Sequence, residues 1–252
     1  MTGLEVFGLG KAFDGLRVVE DVSIAVAGDE LAGLIGPNGA GKSTLFALIT
    51  GFEDADEGEV RFFGELLNNL PPERRARKGL ARTFQIPRPF SHLTVRQNLA
   101  VAAPDQSGEH LLAVFARPGK VRREEAAIAR RVEEVLAFLE LDRVAETPGR
   151  QLSGGQRKLL EIGRVLMTAP RFLLLDEPFA GVNPRLIEVI ADKIRTLNAG
   201  GIGCLVVEHN IQALARLVGR LFVMDWGRIL AEGAPGEVLA RPEVRDAYIG
   251  GG

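Results

Sequence analysis

Gly36-Pro37-Asn38-Gly39-Ala40-Gly41-Lys42-Ser43 constrains this chain more than any other stretch. A continuous apolar run, Leu31-Ala32-Gly33-Leu34-Ile35, precedes it, and Thr44–Thr50 reads as a helix stopped at Gly51. The pattern G-x-x-x-x-G-K-[ST] between a buried strand and a helix requires an α/β chain. Its glycines let the backbone curl, so that several N–H groups converge on an anion-sized hollow at the positive end of a helix. Lys42 would reach the β- and γ-phosphates of a nucleotide, and the Ser43 hydroxyl would ligate Mg²⁺. The plainer alternative is a glycine-rich strand-to-helix turn that binds nothing.

The remaining periodicity sets the architecture. Leu4-Glu5-Val6-Phe7, Leu16-Arg17-Val18-Val19 and Val22-Ser23-Ile24-Ala25-Val26 predict a small antiparallel sheet, because alternation marks a half-buried strand. Phe172-Leu173-Leu174-Leu175 and Cys204-Leu205-Val206-Val207 are continuous apolar runs, suited to a parallel sheet covered on both faces. Leu221-Phe222-Val223-Met224 and Arg228-Ile229-Leu230, around a turn at 225–227, predict a hairpin. Between about 93 and 167 the character is helical. Thr94-Val95-Arg96-Gln97 has the form of a capping box, and Ile128, Val132, Val135, Leu136 and Leu139 share one helical face. Residues 103–124 look like a surface insertion. Its basic cluster, Arg117, Lys120, Arg122 and Arg123, reads as a solvated helix start, with an anionic lipid surface as the alternative.

Three further strand-like runs end in polar residues, on the edge where a parallel sheet places its ligands. Asp176 and Glu177 follow Phe172–Leu175: the aspartate could hold a Mg²⁺ shell and the glutamate could polarise water, although a lone acidic pair is more often a helix cap or a surface pair. Glu208-His209-Asn210 follows Cys204–Val207, where an imidazole could meet a γ-phosphate or order the water. Ala81-Arg82-Thr83-Phe84 leads to Gln85, at a joint marked by Pro87 and Pro89. Each alone has a structural explanation. Together they point to a nucleotide hydrolysis site.

Leu152-Ser153-Gly154-Gly155-Gln156 opens another helix, with Leu159, Ile162, Gly163 and Leu166 on its apolar side. Ser153 and the N–H groups of Gly154 and Gly155 would form a second anion-binding helix start. One nucleotide rarely needs two helix N-termini so far apart in sequence. A dimer resolves this if each nucleotide lies between the phosphate loop of one copy and the Ser153 helix of the other.

Composition excludes several classes. Thirty-one basic against thirty-three acidic residues give a net charge of −2, which argues against electrostatic binding to nucleic acid. At 46% hydrophobic the chain is not disordered. Its apolar runs fall short of the ~20 residues of a spanning helix. The opening Met1-Thr2-Gly3-Leu4-Glu5 lacks a signal-peptide pattern, so the cytosol is expected. Cys204 is the only cysteine, which rules out an internal disulfide, and it reads as a small core residue.

With these residues assembled, the chain resembles the ATP-binding subunits of ABC transporters over essentially its whole length. The resemblance rests on Gly36–Thr44 (Walker A), Gln85 (Q-loop), Leu152–Gln156 (signature), Phe172–Glu177 (Walker B) and His209 (switch histidine), in the family order. It implies a P-loop NTPase fold with a mostly parallel core sheet, an N-terminal antiparallel β subdomain and an inserted α-helical subdomain. One ABC ATPase domain would span 1–252, with the core at about 1–92 and 168–252 and the helical part at about 93–167. It also implies that Glu177 is the general base, that Asp176 and Gln85 serve Mg²⁺ beside Ser43, and that His209 contacts the γ-phosphate. Phe13 would stack on adenine, with a core phenylalanine as the alternative. Gly36, Pro37, Asn38, Gly39, Ala40, Gly41, Lys42, Ser43 and Thr44 would hold ATP, with Ser153, Gly154, Gly155 and Gln156 completing the site across a dimer. Asn183 stands where many members carry an aspartate.

Gly79–Gln85 leading into Leu93–Leu99, the insertion, Ala180-Gly181-Val182-Asn183-Pro184 and a C-terminus of Glu243–Gly250 are similar to the Liv-type subunits of branched-chain amino acid importers. Such a subunit would sit on the cytoplasmic face of the cell membrane. It would dimerise with an identical or paralogous ATPase under permease subunits fed by an extracytoplasmic solute-binding protein. Export of lipopolysaccharide by a similar ATPase is the alternative. A soluble ABC ATPase of DNA repair or translation and a non-hydrolysing regulator are remoter ones.

Overall fold

A computed structural model describes residues 2–83, 89–104, 106 and 118–249. Two long strands, β1 (Thr2–Phe13) and β2 (Leu16–Ala27), open the chain. Then come β3 (Leu31–Ile35), α1 (Lys42–Thr50), β4 (Glu57–Phe62), β5 (Glu65–Leu66), α2 (Pro72–Arg77) and β6 (Leu80–Arg82). The order β2-β1-β4-β5 forms an antiparallel sheet.

Sequence alternation predicted two strands over Leu16–Val26; the structure has one. The break at Glu20–Asp21 is a bulge, with Asp21 at φ 50° and a register shift between Leu9↔Val22 and Lys11↔Val19. One extra residue re-aims the strand. Val19 and Val22, an odd number of positions apart, therefore both face the core with 0% exposure.

After residue 90 come α3 (Val95–Val101), α4 (Pro118–Leu139) and α5 (Gly154–Leu166). Then follow β7 (Phe172–Asp176), α6 (Pro184–Ala199), β8 (Gly203–Val207), α7 (Ile211–Leu217), β9 (Arg220–Asp225), β10 (Arg228–Gly233), α8 (Pro235–Ala240) and α9 (Pro242–Ile249). The second sheet has the order β10-β9-β3-β8-β7-β6. All its pairings are parallel except the β9–β10 hairpin. Every residue of β3, β7 and β8 is buried, as their continuous apolar runs require.

The chain divides into two compact units, residues 1–85 with 170–252, and 86–169. In the first, both sheets and α1 share one core that includes Leu4, Val22, Leu34, Phe46, Phe172 and Phe222. Arg75 secures the far end of α1, where helix carbonyls lack partners. Its Nη1 donates to the carbonyls of Leu48 and Ile49, each at 2.8 Å.

In the second unit α3, α4 and α5 pack together. Val132, Val135, Leu136 and Leu139 are buried on α4 and Leu159, Ile162, Gly163 and Leu166 on α5. Thr94 and Gln97 complete the capping box of α3, with N–H···O contacts of 3.2 and 2.9 Å. Asn98, fully buried, spends its amide on the segment before the helix, donating to the carbonyls of Phe90, Leu93 and Thr94. Residues 118–124, assigned to the insertion from sequence, are the first turns of α4, where Lys120 pairs with Glu124 at 3.4 Å. Most of the insertion, including Arg117, lies outside the described residues. Among the described residues, no helix is long and apolar enough to cross a membrane.

Candidate functional site

The glycine loop joins the C-terminal end of β3 to α1, and its backbone is held from three sides. A Cβ on Gly36 would lie 2.1 Å from the Met224 carbonyl oxygen. Gly41 caps α1 at φ 97°, with the Val18 carbonyl oxygen 2.5 Å from where its Cβ would stand. At both positions the strand beside the loop leaves room only for hydrogen. The β9–β10 turn fastens loop and sheet together: the Gly227 N–H donates to Ala40 at 3.1 Å, and the Glu20 N–H donates to Gly227 at 2.8 Å. No side chain caps α1. Its first N–H groups and positive end thus stay available to an anion.

Lys42 is buried, and its ammonium donates to the carbonyls of Gly36 at 2.7 Å and Pro37 at 2.9 Å. Burial pulls its pKa below the ordinary lysine value, while Glu177 and Asp176 push it back up. Both carboxylates are thus within electrostatic reach of the loop. Asn38, Gly39 and Ser43 are exposed, whereas Ala40 is buried.

β7 delivers Asp176 and Glu177 to this edge. Asp176 accepts from Arg82 Nη2 at 2.8 Å, and its backbone N–H donates to Thr83 Oγ1 at 3.1 Å. The Glu177 N–H donates to the Val207 carbonyl at 2.9 Å, and the residue turns away from the sheet at φ 48°. Its carboxylate meets His209 Nε2, at the end of β8, at 3.0 Å. Glu177 is 13% and His209 46% exposed, so the carboxylate is sheltered and the imidazole reaches outward. A carboxylate held this way can take a proton from a water molecule, and the imidazole beside it can orient that water. Ser43 and Asp176 offer hard oxygen donors of the kind Mg²⁺ selects, so the residues present fit that ion.

Phe13 is 40% exposed, and Lys11 Nζ sits 5.4 Å from its ring centroid. The phenylalanine belongs to the surface, not to the core. Ser153 caps α5 within a complete capping box: its Oγ accepts from the Gln156 N–H at 3.3 Å, and Gln156 Oε1 accepts from the Ser153 N–H at 2.9 Å. Gln156 is therefore committed to its own helix start. Gln85 falls within 84–88, outside the described residues.

Sequence reasoning missed Arg82, Thr83 and Tyr248. Arg82 and Thr83 belong to the strand end already suspected for Gln85, which was the signal available. Tyr248 had none. On α9, far along the chain, it comes near Gly36, and partial burial pushes its pKa up to about 12 with Asp225 adding to the rise.

Residues 19–180 match the family model described as ABC transporter, and residues 228–252 match the one described as branched-chain amino acid ATP-binding cassette transporter. The chain is 38% identical to a probable branched-chain amino acid transport ATP-binding protein LivG of Archaeoglobus fulgidus, covering 98% of this chain and 95% of the relative. It is 35% identical to the lipopolysaccharide export system ATP-binding protein LptB of Escherichia coli K12, covering 99% and 98%. A solved ABC transporter ATP-binding cassette in its ADP conformation superposes with a TM-score of 0.84 at 37% identity, covering 99% of each chain. A phosphate loop after β3, two acidic residues at the end of β7 and a histidine beside the second thus share one sheet edge in a chain with this full-length likeness. The chain belongs to the ATP-hydrolysing, ATP-binding subunits of ABC transporters.

Proposed function

We propose that this chain powers import of branched-chain amino acids or related small solutes through a separate membrane permease, from the cytoplasmic face of the cell membrane. An extracytoplasmic solute-binding protein would deliver the cargo. The match of residues 228–252 to the branched-chain cassette model carries this reading.

In this reading ATP lies between the phosphate loop of one copy and the Ser153 helix start of a second, identical or paralogous copy. The loop N–H groups from Gly36 to Thr44 and the Lys42 ammonium bind the phosphates, and Phe13 stacks on the base. Ser43, Gln85 and Asp176 hold Mg²⁺, which neutralises phosphate charge when bound. Glu177 takes the proton of the attacking water, and His209 orients that water against the γ-phosphate. Closure of the dimer around nucleotide and its reopening after hydrolysis would drive the permease.

Turnover of the chain purified with its native permease tests the cargo. Stimulation by a binding protein loaded with leucine, isoleucine or valine is expected. Stimulation by lipopolysaccharide instead would establish export, the reading that the LptB likeness favours. Glu177→Gln is expected to lower hydrolysis by about 10²–10⁴-fold, the scale of general base catalysis, while leaving a nucleotide-bound dimer. Hydrolysis at the wild-type rate would overturn the assignment of the base.

A further inference from the structure

Glu208 is a charged residue with 3% exposure beside the reacting edge, and the roles given above make no use of it. Its carboxylate is held by backbone N–H groups from two different loops. Oε1 accepts from Phe179 at 2.5 Å, in the loop that leaves β7. Oε2 accepts from His209 at 3.1 Å and from Asn210 at 3.4 Å, in the turn that leaves β8.

Helix capping does not account for this arrangement. The cap of α7 is Asn210, whose Oδ1 accepts from the Ala213 N–H at 3.1 Å. Nor does stability account for it. Burial raises the carboxyl pKa, the three N–H groups oppose that rise and the neighbouring Glu177 adds to it. Taking a carboxylate out of water costs free energy that its hydrogen bonds must first offset, so an apolar side chain would fill this place at less cost.

The two loops joined by Glu208 carry the two residues of the hydrolytic pair. Phe179 lies two positions after Glu177, and His209 is itself one of the donors. Glu177 reaches this point through backbone at φ 48°, a conformation that persists only where its surroundings hold it. The side-chain contact between Glu177 and His209 is 3.0 Å. A second connection runs behind it, through Glu208 and the backbone.

We propose that Glu208 is a positioning residue that fastens the loop after β7 to the His209 turn and so fixes the imidazole against the Glu177 carboxylate. A displacement of the 178–183 loop then carries His209 with it. The inference rests on Glu177 and His209 being the hydrolytic pair, as proposed above.

Glu208→Gln tests it, because the amide keeps the shape but turns one acceptor into a donor. It can then satisfy one loop and not both. Measured on the full chain with its permease, kcat is expected to fall about tenfold or more, the scale of a small misplacement at a reacting centre. KM for ATP should stay within twofold. In histidine NMR spectra the His209 ring signals should shift while those of His92 and His110 stay in place. In a double-mutant cycle, Glu208→Gln combined with His209→Ala should be no slower than His209→Ala alone, because Glu208 acts through that ring.

A wild-type kcat in Glu208→Gln, or losses that multiply in the double variant, would overturn the inference. Wild-type turnover in Glu177→Gln would instead overturn the assignment of the pair. If Glu208→Gln does not fold, amide exchange on the wild-type chain decides. The Phe179 and His209 N–H groups should open in one event, and independent opening would refute the fastening.

Discussion

The Arg82 guanidinium donates to the Asp176 carboxylate at 2.8 Å, and their side chains are only 12% and 4% exposed. This ion pair lies inside the protein, joining the ends of neighbouring strands β6 and β7. Removing one partner of a buried pair leaves an uncompensated charge, which costs about 3–5 kcal/mol. Arg82→Met is expected to lose stability on that scale in urea unfolding, and Arg82→Met with Asp176→Asn to recover part of it. A loss under about 1 kcal/mol, the value of an exposed pair, would contradict the burial.

Gly36 and Gly119 should respond oppositely to alanine. At Gly36 the new methyl would meet the Met224 carbonyl oxygen at 2.1 Å, whereas at Gly119 nothing lies within 4 Å. Gly36→Ala is expected to lose about 1–3 kcal/mol, the scale of overpacking, and at least tenfold in ATP affinity. Gly119→Ala, in the first turn of α4, should be neutral or up to about 1 kcal/mol more stable. Thermal unfolding and nucleotide titration on both variants check this, and equal behaviour would sink it.

Tyr248 is the only tyrosine, so its ionisation can be followed by absorbance without correction. The residue is 37% exposed, and the partial burial of its ring end, aided by Asp225 and opposed by the nearby Gly36 backbone, pushes its pKa up to about 12. The folded-state pKa is raised above the ordinary phenol value of about 10. The stability it contributes is therefore fully present below pH about 10 and is lost as pH rises towards about 12. Phenolate absorbance should appear near pH 12 in the folded chain and near pH 10 in urea. A midpoint near 10 in both would place the hydroxyl in water.

Ser153 invites a substitution that separates its two roles. Aspartate is as good a helix cap as serine, so Ser153→Asp should preserve the fold within about 0.5 kcal/mol of wild type. The same carboxylate would repel a phosphate at that helix start. In mixed dimers the loss of hydrolysis should fall on the site formed with the Lys42 loop of the other copy. A loss confined to the site formed by the variant's own Lys42 would refute a shared site.

What the sequence made legible is short in range. The glycine loop, the helix it starts, the capping box at Thr94 and the helix start at Ser153 each depend on residues a few positions apart, although the tie between Ser153 and Gln156 was not anticipated. Apolar runs identified β3, β7 and β8 because burial on both faces leaves no alternation. The Arg82–Asp176 pair, the Arg75 contacts with α1 and the Tyr248 contact with Gly36 depend on which strands and helices become neighbours. No local pattern encodes the order β10-β9-β3-β8-β7-β6. The bulge at Asp21 misled for a related reason: a break in alternation reads as a turn until the partner strand supplies the register.

The placement of β3 governs when the site can exist. This strand lies between β8 and β9, both made long after it and only once residues 86–169 have been synthesised. During synthesis the glycine loop therefore leaves the ribosome attached to a strand with both edges unpaired, a state prone to aggregation. Residues 86–169 form a compact unit of their own, finished in sequence before the second half of the other unit is made. Nucleotide added to a nascent chain should find no complete sheet edge until β8 and β9 have emerged to flank β3.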